Sequence, residues 1–164
     1  MTTQFISRCC GLFVSILLIS SSFAQVSEFK DLQQVLTKGG YVKVYENVLT
    51  EFHNQFSGAE NVRWSKIDKN FLAQFTNGDL NQMVLLNTKG EPIYKISYGK
   101  EKHLPVTLRK EVKRNYVEFF ITAAIFVEQD NRRIWIINLE DDSHCVTLRV
   151  EKLQMEEVRK YKKI

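Results

Sequence analysis

His144 and Cys145 are the one place in the chain where an imidazole adjoins a thiol, the pairing that nucleophilic or metal chemistry uses. On a strand, adjacent side chains point to opposite faces, so these two do not converge on one substrate or ion. An internal repeat described below aligns Cys145 with Met83, which gives the thiol to packing as a small apolar residue. His53 borders an apolar stripe and His103 precedes a helix, and neither has a partner at ligand spacing. With three His in all, a metal site would have to be assembled by folding. Glu140-Asp141-Asp142 puts three acids between two strands, but EF-hand spacing is absent and the segment reads as a solvated turn. There is no Ser-His-Asp constellation, glycine-rich phosphate loop or Cys-x-x-Cys pair. The sequence therefore assigns no catalytic residue, no metal ligands and no cofactor.

The basic residues are equally plain. Lys110, Lys113 and Arg114 share a helix surface, and Arg159, Lys160, Lys162 and Lys163 close the chain. Nucleic-acid binders gather such charge on one stripe, whereas here 19 acids are interspersed with 23 bases. Solvated surface is the reading, and nucleic acid is not expected as a partner. At 164 residues, 44% hydrophobic, 7 Gly and 2 Pro, the composition is globular and excludes collagen-like, low-complexity and disordered classes.

Residues 1–24 read as a secretory signal peptide. Arg8 precedes the apolar run Cys9–Ile19, and Ser22-Phe23-Ala24 places small residues for cleavage between Ala24 and Gln25. The run is short for a spanning helix, and no Cys follows it to carry a lipid anchor. Cleavage removes Arg8 and no acid, so the charge falls from +4 to +3. Only Cys145 then remains, so no internal disulfide can form. The expected location is periplasmic or secreted, without a stable membrane anchor.

Residues 25–45 form an N-terminal arm. Phe29, Leu32 and Leu36 stand at helical spacing before Gly39-Gly40, which reads as a short helix or a loosely held arm, and Tyr41–Tyr45 alternates. Val48, Leu49, Phe52 and Phe56 then mark the stripe of a first helix, with Gly58 placed for a left-handed C-terminal residue. Strand-like runs follow at Val62–Ile67, Phe71–Thr76, Met83–Asn87 and Ile93–Tyr98, separated by Asp68-Lys69-Asn70, Asn77-Gly78-Asp79 and Lys89-Gly90. Leu104-Pro105 opens a second helix striped by Leu108, Val112 and Tyr116. Further runs lie at Phe119–Val127, Arg133–Leu139 and Cys145–Val150, and Val158–Tyr161 is ambiguous.

A shift of 62 residues lays Trp64 on Phe126, Asp68 on Asp130, Val84 on Val146 and Leu86 on Leu148. The fold class expected is α+β: tandem helix-plus-antiparallel-sheet units at 46–99 and 100–164, each helix packed on a three- to four-stranded meander. The helix ending in an aromatic, followed by Ala59-Glu60-Asn61-Val62-Arg63-Trp64 and Phe71-Leu72-Ala73-Gln74-Phe75, resembles small exported PepSY-like proteins, also described as beta-lactamase-inhibitor-like. Leu104-Pro105 and the helix ending at Tyr116 fit the same pattern, so the resemblance covers about residues 46–161. It implies an exported bacterial protein that binds or restrains a peptidase or other envelope protein through a curved sheet. The family supplies no catalytic residues.

The informative anomaly is apolar. Phe119–Val127 and Ile134–Ile137 are hydrophobic at both parities, whereas a half-exposed sheet needs one apolar face. This surplus is either buried between units or under the arm, or it forms an open face that accepts a partner. The expected partner is a protein or peptide in the envelope, with Phe120, Phe126 and Trp135 as partner-binding residues. The alternatives are a small-ligand carrier or enzyme with a helix–sheet cavity, and a structural envelope homodimer.

Overall fold

Turn chemistry fixes the strand boundaries. The structure, a computed structural model, describes residues 32–37 and 40–164. The signal segment 1–24, its cleavage position Ala24-Gln25 and the beginning of the arm lie outside the described residues. Two strands come first, β1 (Leu32–Thr37) and β2 (Gly40–Tyr45), then helix α1 (Glu46–Gln55). Strands β3 (Ala59–Ile67), β4 (Asn70–Asn77), β5 (Leu80–Leu86) and β6 (Pro92–Gly99) follow. A single 3-10 turn (Glu101–His103) leads into helix α2 (Val106–Asn115). The chain ends with β7 (Phe120–Gln129), β8 (Arg132–Glu140), β9 (His144–Glu151) and β10 (Gln154–Lys162). Two-residue hairpin loops require positive φ, and Asp68, Gly78, Asp130, Asn131, Lys152 and Leu153 supply it.

Both helices end alike. The Phe56 N–H donates to Phe52 O at 2.8 Å, and the Tyr116 N–H donates to Val112 O at 2.9 Å. Each aromatic leaves the helix with an extended φ (−128° and −129°) rather than a left-handed one. The expectation for Gly58 is thus corrected: positive φ falls instead at Asn61, beside the bulge in β3 between Glu60 and Arg63. Pro105 sits at the N-cap of α2, where its carbonyl accepts from Arg109 N–H at 2.9 Å and its missing donor costs nothing.

Over 32–37 the helical alternative for the arm is also corrected, because Leu32–Thr37 is a strand paired antiparallel with β2, from Leu32↔Tyr45 to Thr37↔Gly40. The ambiguous tail is the edge strand β10, held on β9 from Gln154↔Glu151 to Lys162↔His144.

The expected fold class, tandem helix-plus-sheet units, gives way to a different architecture. Strands β3 to β10 form one eight-stranded antiparallel sheet in the order β10-β9-β8-β7-β6-β5-β4-β3. The continuity comes from β6 and β7, which pair from Tyr94↔Gln129 to Gly99↔Ala124. Unpaired edge groups at the end of one meander would otherwise stay open, and mutual pairing satisfies both strands.

Two cores lie on one face of that sheet. Val48, Leu49 and Phe52 of α1 pack on Trp64, Phe71, Ala73, Phe75, Val84 and Leu86. Phe52 is the centre, its ring 5.0 Å from Trp64 and 5.1 Å from Phe75 in edge-to-face geometry. Leu108 and Val112 of α2 pack on Ile121, Ala124, Ile137, Leu139, Val146, Leu148 and Val150. Between the cores the same face turns polar at β6 and β7. Gln82 donates to Ser97 at 3.0 Å, and Lys95 is ion-paired with Glu128. That polar seam separates two apolar cores on a single layer.

Candidate partner-binding face

Strand parity sorts the surplus apolar residues. The parity that feeds the two cores faces the helices. The opposite parity, read through the pairing register, lines up in rows across the strands. One row is Arg63↔Gln74↔Met83↔Ile96↔Val127↔Ile134↔Glu151, running from β3 to β9. A neighbouring row is Asn81↔Tyr98↔Ile125↔Ile136↔Arg149. A third joins Leu72↔Leu85↔Tyr94↔Gln129. None of these apolar residues belongs to either helix-backed core. Together Leu72, Met83, Leu85, Tyr94, Ile96, Tyr98, Ile125, Val127, Ile134 and Ile136 form an uncharged block over β4 to β8, in which Leu72 and Leu85 are buried, Tyr98 keeps 42% of its surface exposed and the rest are half-buried.

The block is bounded differently at its two ends. On the β9 side Glu151 accepts from Arg132 Nε at 2.8 Å and Nη2 at 2.9 Å, and also from Arg149. Arg149 reaches Glu156 at 3.4 Å as well. The Arg132 guanidinium holds the Glu151 carboxyl down at about 2, so this end is ionised and internally neutralised. On the β3 side Arg63 is exposed and, among the described residues, pairs with no carboxylate. Arg63, Gln74, Asn81, Met83 and Tyr98 line a depression of about 290 Å³ there.

Of the residues expected from sequence, two come together and the third lies on the other side of the sheet. Phe126 and Trp135 stack at 4.6 Å with 30° between ring planes, on the helix side of the sheet. Trp135 packs against the second core, next to Val150. Phe120 is 75% exposed at the start of β7, in the row Phe120↔Glu140↔Cys145↔Tyr161 on the other side. Cys145 is half-buried in that row, and Val146 takes the core position, so the packing role expected of the thiol is corrected. What the sequence reading missed was the share of β4, β5 and β6 in the apolar face. The signal was present in Met83-Val84-Leu85-Leu86, a run hydrophobic at both parities, and in the alternation Tyr94, Ile96, Tyr98.

The polar candidates serve the scaffold. Asp141 accepts from the Ser143 and His144 backbone N–H groups at 2.6 and 2.5 Å, which lowers its carboxyl below the ordinary range and closes the β8–β9 turn. Lys113 pairs with Glu101 at 2.6 Å and Arg114 with Glu111 at 2.7 Å. Among the described residues, no group of three or more His, Cys, Asp or Glu is placed to hold a metal. A cleft of about 400 Å³ beside the end of α1 is lined by Phe56, Ile93, Lys95, Glu128 and Arg133. In it Glu128 pairs with Lys95 and approaches Arg133 at 3.8 Å, and Asp130 and Arg132 also line it. No described helix is long and apolar enough to cross a membrane.

Solved structures share this fold. A DUF2874 family protein from Bacteroides ovatus ATCC 8483 matches with a TM-score of 0.54 at 18% identity, over 71% of this chain and 85% of that one. A BLIP-like protein from Bacteroides fragilis NCTC 9343 matches with a TM-score of 0.58 at 11% identity, over 76% and 89%. A candidate periplasmic protein from Bacteroides eggerthii DSM 20697 matches with a TM-score of 0.55 at 12% identity, over 73% and 88%. At such identities the likeness is one of fold, and the fold is BLIP-like; none of these three is described as PepSY-like. No protein-family model and no curated protein matches the sequence.

Proposed function

We propose that the protein is a non-catalytic exported binding module that receives an envelope protein or peptide on the face of its sheet opposite the two described helices. The observation that carries this reading is the uncharged apolar block over β4 to β8, which neither core uses. Folding requires one apolar face of such a sheet, and a second one has to be maintained for another reason. Its make-up of Ile, Tyr and Met with no charge at the centre matches the buried middle of protein interfaces. Covering it releases water at about 25 cal/mol per Å² of apolar surface, so a few hundred Å² is a substantial driving force. Restraint of a peptidase or another envelope protein is the specific form that the sequence resemblance favours. Export is supported by the signal-like segment 1–24 and by the fold shared with a candidate periplasmic protein.

The test is in-cell photo-crosslinking with p-benzoylphenylalanine in place of Tyr98 or of Trp135. Adducts to another protein at position 98 and none at 135 are expected. Adducts at 135 alone would move the site to the helix side, where Phe126 and Trp135 stack. Adducts only of dimer mass would make the protein a structural homodimer and end the reading.

A further inference from the structure

Resting on that reading, we propose that Arg63 makes the β3 end of the face a receptor for an acidic side chain, so that the partner presents an aspartate or glutamate at one end of an apolar segment. Charge is unbalanced along this face. The row that starts at Arg63 passes through Gln74, Met83, Ile96, Val127 and Ile134 before reaching Glu151. At its far end the row's carboxylate is answered, since Glu151 is held by Arg132 and Arg149, and Arg149 also reaches Glu156. At its near end the guanidinium has no carboxylate partner among the described residues.

The depression beside Arg63 contains no acid. Its polar neighbours are the amides of Asn61, Gln74, Asn81 and Gln82, the Thr76 hydroxyl, and the Tyr98 hydroxyl, which donates to Met83 Sδ at 3.7 Å. Thioether sulfur is a weak acceptor, so that hydroxyl is free to turn toward a stronger one. A guanidinium fork, four amide residues and two hydroxyl residues around about 290 Å³ form a donor-rich corner of carboxylate size. It opens directly onto the apolar row. Five strand spacings of about 4.8 Å separate Arg63 from Ile134, roughly 24 Å, the reach of about seven extended residues. The occupant is thus a segment of that length, apolar along most of it and acidic where it meets β3.

The experiment uses capped heptapeptide pools with Leu, Ile, Phe or Tyr at five positions, followed by Asp-Gly in one pool and Asn-Gly in the other. Binding to the isotope-labelled protein is followed by amide shifts. The Asp pool is expected to bind about tenfold more tightly than the Asn pool, as a charge-assisted pair allows. It should shift Met83, Ile96 and Tyr98, weaken as salt is raised, and lose its advantage in Arg63→Gln. Equal binding of both pools on this face would overturn the acidic corner and leave the binding module intact. Binding of neither pool, or shifts confined to the helix side, would overturn both.

Discussion

Single residues tie this sheet together at its rims by charge. His103 accepts the Lys100 backbone N–H at Nδ1 (2.9 Å), so Nε2 carries the proton and donates to Asp79 Oδ1 at 3.0 Å. The imidazole thereby pins the 3-10 turn to the β4–β5 hairpin, a role invisible in a sequence where its two partners are far apart. Lys102 and His103 together hold the Asp79 carboxyl at about 2, and Arg132 does the same for Glu151. Both values lie below the ordinary ones of 3.8 and 4.5. On acidification the unfolded chain takes up these protons first. The stability these ions confer is complete above pH 4.5 and drains away as pH falls toward 2. Urea midpoints should fall across that window, and in Glu151→Gln the fall should be shallower, because the Glu151 share is gone while those of Asp79 and Asp141 remain. Equal slopes in the two proteins would contradict the assignment.

At the scale of elements, docking of α1 depends on a turn that gives way to it. Gly90, in the β5–β6 connection, has φ +85°, and a Cβ there would stand 2.6 Å from Glu51 Cβ. Asn47 and Gln55 hold the same connection by hydrogen bonds to Thr88 O at 3.0 Å and Gly90 O at 3.4 Å. Gly90→Ala adds left-handed strain to a steric conflict, and it should cost about 2–4 kcal/mol in chemical denaturation. A loss below about 0.5 kcal/mol would mean that α1 is not seated on this turn. Elements of this kind were legible wherever turn residues and one-sided stripes coincide. Phe52, Leu108 and Val112 announce their helices, and Asp68, Gly78 and Asp130 their hairpins. Leu32–Thr37 was misread because Leu32 and Leu36 fit helical spacing, while its strand depends on pairing with β2. β10 was ambiguous for a similar reason, since a charged edge strand has no period of its own and borrows its form from β9.

For the molecule as a whole, the pairing of β6 with β7 is the decision that the sequence conceals. Local patterns specify each meander, and nothing local states that Ile96 will meet Val127 or that Tyr98 will meet Ile125. Once they meet, side chains that looked like the excess of one segment become part of a face shared by five strands. The excess over Phe119–Val127 divides cleanly: Ile121 and Ala124 go under α2, while Ile125 and Val127 go to the opposite side. This long-range register decides which residues share the proposed face, and it places Phe126 and Trp135 on the helix side. Neither described helix covers the opposite face, whose isoleucines stay half-exposed although Leu72 and Leu85 are buried, and relaxation of isoleucine methyl signals by a soluble paramagnetic agent tests this most directly. Ile96, Ile125, Ile134 and Ile136 are predicted to broaden in the free protein while Ile137, fully buried, stays sharp. Protection of Ile134 and Ile136 equal to that of Ile137 would contradict the account.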